Sequence, residues 1–456
     1  MRDGALILNI PMSYAAAIEQ LSAMTPELYV KAGQARRKFS LDEVRILLGA
    51  LGDPQGRLAA VLIAGTNGKG STAATLASIL IEAGLRTGLY TSPHLERPNE
   101  RISVDRTEIA DGDFARLFFM VSDTAEQMVR ERKLPQMPSF FEMLTALAFL
   151  HFAESEVEIA VLEVGMGGRL DATNVVEPLV SIVTDISLDH MEWLGPTIAA
   201  IAREKAGILR AGGTMITLPQ HPEVNQVLGE VATELAVRGV SATPYMPASE
   251  AAGLYTVEVL GATIKVDSPL KGAHQQRNVA LAIAAAVELA ERHGFAVSPE
   301  AIEEGIRRTE WPGRLERMTR AGVEWVLDVA HNPAGAWALR AGLRNIAEER
   351  GPKTLIFSCL RDKPLAEMAQ ILFPLFERVI VAPIHAARAA AVQDLLAAAK
   401  ATGTAATATE SVREALEMAQ GDAAGGMVVV SGSVYLVGEA RAMLMAGLAA
   451  GKSETR

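Results

Sequence analysis

The stretch Gly65-Thr66-Asn67-Gly68-Lys69-Gly70-Ser71-Thr72 has the residue types to cradle a phosphate. It follows an apolar run, Ala59-Ala60-Val61-Leu62-Ile63-Ala64, with the pattern of a buried strand, and it opens a helical pattern over 72–83. A strand, a Gly-rich turn and a helix N-terminus together aim backbone N–H groups and the positive end of the helix dipole at an anion. Lys69 adds a point charge. Two positions depart from the usual G-x-x-x-x-G-K-[ST]. Ile63 stands where the first Gly belongs, and Gly70 separates Lys69 from the hydroxyl of Ser71.

Further groups follow at the ends of apolar runs. Glu163 closes a run, 159–163, expected in the same sheet as the phosphate-loop strand. Ligands gather at the carboxyl ends of strands in open α/β sheets, so a carboxylate there can hold Mg²⁺ against nucleotide phosphates. Capping a neighbouring turn is the other use of such a Glu, but Gly165-Met166-Gly167-Gly168-Arg169 lets backbone approach a ligand. Asp185, Asp189 and His190 follow the next strand. Taken alone an Asp–His pair reads as a loop hydrogen bond; its expected place beside Glu163 favours a metal. Mg²⁺ prefers oxygen, so spacing alone does not make His190 a ligand.

Lys205, by spacing, reads as a helix-surface lysine paired with a carboxylate. Asn278, with Gln276 and Arg277, faces either a ligand or solvent at the start of a long helix. Arg314 lies in the break Glu310-Trp311-Pro312-Gly313-Arg314, where an arginine can reach a nucleotide phosphate across a cleft, although solvated linker arginines are commoner. Asp328 and His331 sit on the turn after a strand, which favours a site. Pro333 suits the first position of the next helix and Asn332 its N-cap.

The elements that must position these groups alternate between strand and helix for most of the chain, which implies parallel α/β layers. Strands are expected over 86–91, 159–163, 180–184 and 214–217, and helices over 139–153, 197–209 and 274–293. Period-two runs around Gly261 read as a hairpin. Beyond Pro312 a second series begins, with strands over 325–329, 354–358, 378–382 and 427–431. The Ala-rich stretch 386–409 suits a helix and a loop. We therefore expect domains at 1–312 and 313–456.

A chain of 456 residues accommodates two or three cores. Its formal net charge of -11 argues against nucleic acid as the main partner. Cys359, the single cysteine, excludes an intramolecular disulfide and a Cys-based zinc site; its apolar setting reads as a buried thiol. No basic region precedes an apolar stretch at the N-terminus, so no secretory leader is expected. The longest apolar helix contains Glu288 and falls short of the ~20 residues a membrane span needs. A cytoplasmic protein with no membrane partner is the expectation.

Taken together, the motifs resemble the folylpolyglutamate synthase/dihydrofolate synthase family of the Mur ligase superfamily. The matching stretches begin with Gly65 to Ser71, Thr91-Ser92-Pro93-His94-Leu95 and Asn99-Glu100-Arg101-Ile102. They continue through Ser139-Phe140-Phe141-Glu142, Glu163 to Asp171, Asp189-His190, Glu204 to Ile208 and Gln276-Arg277-Asn278. Trp311 to Arg314, Asp328 to Pro333 and Ser431 to Leu436 complete the series, in the family's order. The loop variant that misfits the general phosphate-loop pattern is this superfamily's own form.

The resemblance implies an N-terminal Mur-ligase-type ATPase domain, mainly parallel with a small antiparallel part, and a C-terminal Rossmann-like domain carrying glutamate ligation. It implies an ATP-dependent ligase that joins L-glutamate to a folate, with ATP as cosubstrate and one or two Mg²⁺. It assigns Ser92, Glu163 and His190 as Mg²⁺ ligands. Lys205 corresponds to a carbamylated lysine, in which CO₂ turns a neutral amine into a carboxylate. Thr66, Asn67, Gly68, Lys69, Gly70 and Ser71, with Asn278, Arg314 and Asp328, correspond to nucleotide contacts. Lys69, Lys205 and His331 fall in catalytic positions, His331 near the transferred phosphate and the incoming amino acid. Ser139, Phe140, Phe141, Glu142, Leu170, Asp171 and Ala172 correspond to part of a pterin pocket. A monomer is expected.

Two stretches depart from the family pattern. Arg36-Arg37-Lys38-Phe39-Ser40 stands where dihydrofolate-making members carry a Thr-Ile-Asp-Leu-Gly-like stretch, which sets dihydropteroate apart from tetrahydrofolate as a substrate. Asp362-Lys363-Pro364 lacks a further acidic residue after the lysine. Two rivals remain. A sister Mur ligase for UDP-sugar peptides is disfavoured by Gly70 and by Ser139 to Glu142. A kinase or nucleotide-binding regulator has no use for a carbamylated Lys205.

Overall fold

The computed structural model describes residues 13–24, 40–248, 253–347, 353–422 and 426–447. The departure at 36–39 lies outside them. Among the described residues, sixteen strands form three sheets.

The first sheet contains β1 (Ala59–Ala64), β2 (Thr87–Tyr90), β3 (Ile102–Val104), β4 (Thr107–Glu108), β5 (Ile159–Glu163), β6 (Val180–Val183), β7 (Thr214–Thr217) and β8 (Arg238–Ser241). Their order is β4-β3-β2-β5-β1-β6-β7-β8. The pairings β2–β3 and β3–β4 are antiparallel and the others parallel. This matches the mainly parallel sheet with a small antiparallel part.

Strand β1 shows why the sequence folds this way. Successive side chains of a strand point to opposite faces. Ala60, Leu62 and Ala64 enter one hydrophobic core, and Val61 and Ile63 enter the other. A continuous apolar run is thus a strand covered on both sides. Because β1 lies between β5 and β6, the loop after β1, Glu163 at the end of β5 and the residues after β6 meet at one rim.

β9 (Tyr255–Val259) and β10 (Ala262–Val266) form the expected hairpin. Leu260 and Gly261 both take positive φ between them, as a two-residue turn with right-handed twist requires. The last sheet contains β11 (Glu316–Arg320), β12 (Val323–Asp328), β13 (Lys353–Phe357), β14 (Arg378–Val381), β15 (Ala405–Ala408) and β16 (Met427–Ser431). Their order is β11-β12-β16-β13-β14-β15, with only β11–β12 antiparallel. It is the Rossmann-like half. Its β12 also alternates between two cores, with Val326 in one and Trp325 and Leu327 in the other.

Several boundaries differ from the sequence expectation. The helix after the phosphate loop spans Lys69–Glu82 and so begins three residues earlier than 72. Gly68, at φ 89°, makes the entry turn and lets Lys69, Gly70 and Ser71 join the first helical turn. Strands β3, β4, β8, β11 and β15 were not expected; each is short or polar and carries little apolar alternation. The Ala-rich stretch gives the helix Val392–Ala401 followed by β15, not by a loop.

The helix Lys69–Glu82 packs closely against Pro299–Arg307 at Gly305. A Cβ on Gly305 would lie 2.4 Å from Ile79 Cα, and Ser78 Oγ donates to the Gly305 carbonyl at 2.6 Å. Gly305→Ala must therefore push backbone away from backbone. We expect it to destabilise the protein by about 1–3 kcal/mol in urea unfolding. Gly229→Ala, whose Cβ meets nothing within 4 Å, should be neutral or stabilising by up to ~1 kcal/mol.

Candidate active site

The phosphate loop is stapled to the segment after β6. A Cβ on Gly65 would stand 1.8 Å from Thr184 Oγ1, so the backbones approach as only glycine allows. The amides of Thr66 and Asn67 both donate to the Asp185 carbonyl, at 2.9 and 3.1 Å. Thr66 Oγ1 donates to the Ser187 carbonyl, and Asn67 Nδ2 donates to Ser187 Oγ, each at 3.1 Å. Those two amides shape the loop. The amides of Gly68, Lys69, Gly70 and Ser71 belong to the open first turn, since the helical ladder begins with Thr72 donating to the Gly68 carbonyl. They point a helix N-terminus into a cleft of about 370 Å³.

Two lysines converge on one carbonyl at the floor of this cleft. Lys69 Nζ donates to the Gly65 oxygen at 3.1 Å and to the Thr66 oxygen at 3.2 Å. Lys205 Nζ donates to the same Gly65 oxygen at 2.7 Å. Lys205 is buried, contrary to the surface lysine that spacing suggested. Burial, and then the neighbouring Lys69 charge, pull its pKa down to about 7. Its amine is thus neutral in a large fraction of molecules near neutral pH.

Glu163 is buried beside them, with Oε1 3.9 Å from Lys69 Nζ. The Ser92 amide donates to Glu163 Oε2 at 3.1 Å. Burial raises the Glu163 pKa, while Lys69 opposes the rise. Ser92 and Glu163 are therefore in contact. His190 lines the same cleft but turns its Nε2 toward Asp189 Oδ1, at 3.9 Å. Burial lowers the His190 pKa to about 4, so the ring is neutral.

Asp189 is where the second sheet's loops reach the first. Lys363 Nζ donates to Asp189 Oδ1 at 2.8 Å and Asn332 Nδ2 to Oδ2 at 3.4 Å. Asn332 Nδ2 also reaches Asn67 Oδ1 at 3.1 Å. Burial works against ionisation of Asp189, yet the charge and hydrogen bond of Lys363 hold its carboxyl below the usual range. Asn332 caps its helix as expected, with Oδ1 accepting from the Gly335 amide at 2.8 Å.

The remaining wall comes from the end of β12. Asp328 accepts from the amides of Leu315 and Ala330, each at 2.9 Å. Burial raises its pKa and the nearby Arg314 opposes this. Burial also lowers the Arg314 pKa, against the pull of Asp328 and Glu163. His331 Nδ1 lies 2.9 Å from the Val329 carbonyl, which can only accept. The neutral ring therefore carries its proton on Nδ1 and leaves a lone pair on Nε2. Burial and Lys363 hold its pKa near 4. Asn278 is buried against the loop: a Cβ on Gly68 would stand 2.1 Å from its Oδ1, and its Nδ2 donates to Gln275 Oε1 at 2.8 Å.

A smaller cavity of about 100 Å³ adjoins the cleft and shares Met166, Gly167 and Leu194 with it. Phe141, Glu142, Leu170, Asp171 and Ala172 line it. Ser139 and Phe140 do not. Ser139 forms a capping box with Glu142, and Phe140 lies under the Arg101 guanidinium at 5.1 Å. Asp171 accepts from Met166 N, Thr173 N and Thr173 Oγ1. These polar groups build the pocket wall.

Sequence reasoning gave little weight to Lys363, and it did not place Trp311 against the loop. Lys363 carried a signal only in its unusual Asp-Lys-Pro setting. Trp311 lay inside a quoted motif, but nothing in spacing tells which helix an indole will touch.

Residues 63–286 match the Mur ligase middle domain family, and residues 313–434 match the Mur ligase glutamate ligase domain family. The fold is therefore that of a Mur ligase, an enzyme that forms a C–N bond. The folylpolyglutamate synthase of Lacticaseibacillus casei is 34% identical over 96% of this chain and 100% of its own length. The dihydrofolate synthase/folylpolyglutamate synthase of Bacillus subtilis is 34% identical over 89% of this chain and 95% of its own. A crystal structure of Mycobacterium tuberculosis folylpolyglutamate synthase complexed with ADP and AMPPCP superposes with a TM-score of 0.82, at 34% identity, over 94% of this chain and 99% of that one. The chain belongs to the folylpolyglutamate synthase/dihydrofolate synthase family.

The Lys205 pKa of about 7, against 10.5 for an ordinary lysine, has a consequence for stability. Between those values the unfolded chain binds one proton more, so stability rises with pH, by up to ~1.4 kcal/mol per unit. We expect wild type to gain on Lys205→Met as pH rises from about 7, in urea unfolding with CO₂ removed. Parallel curves would mean a charged Lys205 in the folded protein.

Proposed function

We propose that the protein uses ATP to activate a folate carboxylate and joins it to L-glutamate through an acyl phosphate. The observation that carries this reading is Lys205: a buried lysine held near neutrality beside Lys69 is suited to carbamylation. A kinase has no need of that group. The M. tuberculosis relative complexed with ADP and AMPPCP, and the E. coli FolC in complex with DHPP and ADP, support a nucleotide and a second small-molecule substrate.

The chemistry follows from the residues. The open amides of Gly68 to Ser71 and the Lys69 ammonium bind the nucleotide phosphates. The substrate carboxylate attacks the γ-phosphorus, its oxygen–phosphorus bond forms, and ADP leaves. The glutamate amine then attacks the acyl carbon, loses a proton and expels phosphate. The His331 Nε2 lone pair is placed in the same cleft to take that proton. Contacts from Asn332 and Lys363 close the cleft and shield the acyl phosphate from water.

The donor set suits Mg²⁺. Among the described residues no three His, Cys, Asp or Glu side chains form a ready-made metal cage. Mg²⁺ keeps waters and borrows phosphate oxygens while binding one or two protein carboxylates, and Glu163, beside Ser92 and Lys69, offers such a carboxylate. Ser92, Glu163 and His190, with a carbamylated Lys205, would hold it, and when bound it neutralises charge on the phosphates.

ADP release should require both substrates. We expect rapid ADP formation with tetrahydrofolate plus glutamate and little with either alone. Dihydropteroate plus glutamate is the second arm, and it decides whether the protein also makes dihydrofolate. ADP formation no faster with any pair than with ATP alone would sink the reading.

A further inference from the structure

The segment between the two sheets is tied down on both sides of three residues. Upstream, the Gly305 carbonyl accepts from Ser78 Oγ at 2.6 Å, and Arg308 donates to Glu82 at 2.9 Å. Both ties bind the segment to the helix that carries the phosphate loop. Downstream, Val329 N donates to the Gly313 carbonyl at 3.0 Å, and Leu315 N donates to Asp328 at 2.9 Å. These bind it to the end of β12 and the residue that follows. Any rotation of one half against the other therefore falls on Glu310, Trp311 and Pro312.

Trp311 is half-buried at this joint. Its indole lies on Gly70 of the phosphate loop. A Cβ on Gly70 would stand 2.6 Å from Trp311 Cζ2, 3.1 Å from Cε2 and 3.2 Å from Nε1, its three nearest neighbours. Gly70 has an ordinary helical backbone, so the nearest obstacle to an alanine there is the indole. The second departure from the usual phosphate-loop pattern thus has a cause. The position that should carry a hydroxyl is kept bare for a ring from the joint. Trp311 also walls a second cavity of about 380 Å³ lined by both halves, including Ser78, Arg97 and Arg441, which shares Pro93, Arg314, Val329 and Val434 with the cleft.

We propose that Trp311 is a positioning residue that couples the angle between the two halves to the geometry of the phosphate loop. Rotation at residues 310–312 carries the indole with it and presses on, or releases, the open amides at Gly70 and its neighbours. This rests on the loop being the ATP site, and ADP serves as the probe.

The test is ADP affinity by calorimetry for wild type, Gly70→Ala, Trp311→Ala and the double variant. Gly70→Ala should weaken ADP binding about fivefold or more in the wild-type background and have little effect in the Trp311→Ala background, where the ring is gone. An equal loss in both backgrounds would overturn the coupling. Tryptophan emission gives a second readout that does not depend on the alanine variant folding. ADP should change the emission of wild type, and the change should be lost in Trp311→Phe although ADP still binds. The same change in Trp311→Phe would also overturn it. Wild type that binds no ADP would instead remove the nucleotide reading itself.

Discussion

One carbonyl oxygen organises this site. Gly65 O accepts from both Lys69 and Lys205, so two amines sit side by side in a buried, poorly solvated place. Two full charges cannot be held so cheaply there, and the more buried lysine gives way. Everything around it follows from keeping that arrangement. Gly65 must lack a side chain to reach Thr184, and the Asp185 carbonyl must fix the amides of Thr66 and Asn67. The charge on Lys69 is then left facing Glu163 and the open helix turn.

The site is divided between two sheets that each present the carboxyl ends of parallel strands. β1, β5 and β6 supply the phosphate loop, Glu163 and the Asp185–His190 segment. β12 supplies Asp328 and His331, and the turn after β13 supplies Lys363. Neither half is complete alone. Their polar contacts across the cleft concentrate on Asp189, which accepts from Lys363 and Asn332, while Arg441 pairs with Glu96 at 2.9 Å further out. An anion on one side and donors on the other give closure a charge-dependent part.

Much of this was legible from the residues. β1 and its loop were marked by an apolar run against a Gly-rich turn, and the helix Ala273–His293 by its length. Glu163 was legible because a strand end in a parallel sheet is a functional address. Lys205 was not. Its spacing on Ile198–Ala206 is that of a surface residue, and only tertiary packing buries it. The family resemblance supplied its role where periodicity could not. The amides of Thr66 and Asn67 were also hidden, because their acceptor is the main chain of Asp185, more than a hundred residues away. Main-chain acceptors leave no trace in residue type.

Four of the five strands that went unrecognised share a further property. β8 and β15 each close one side of a sheet, and β4 and β11 close the other sides. They are two to five residues long, and their side chains are charged, hydroxylic or alanine with few exceptions. An open sheet border offers unpaired N–H and C=O groups to any extended chain that drifts past. Short borders with Glu108, Arg238, Arg317 and Arg320 on them offer few such groups and a poor apolar welcome. The weak alternation that conceals these strands from a reader of the sequence also makes them poor templates for another molecule, and so guards the protein against stacking on itself.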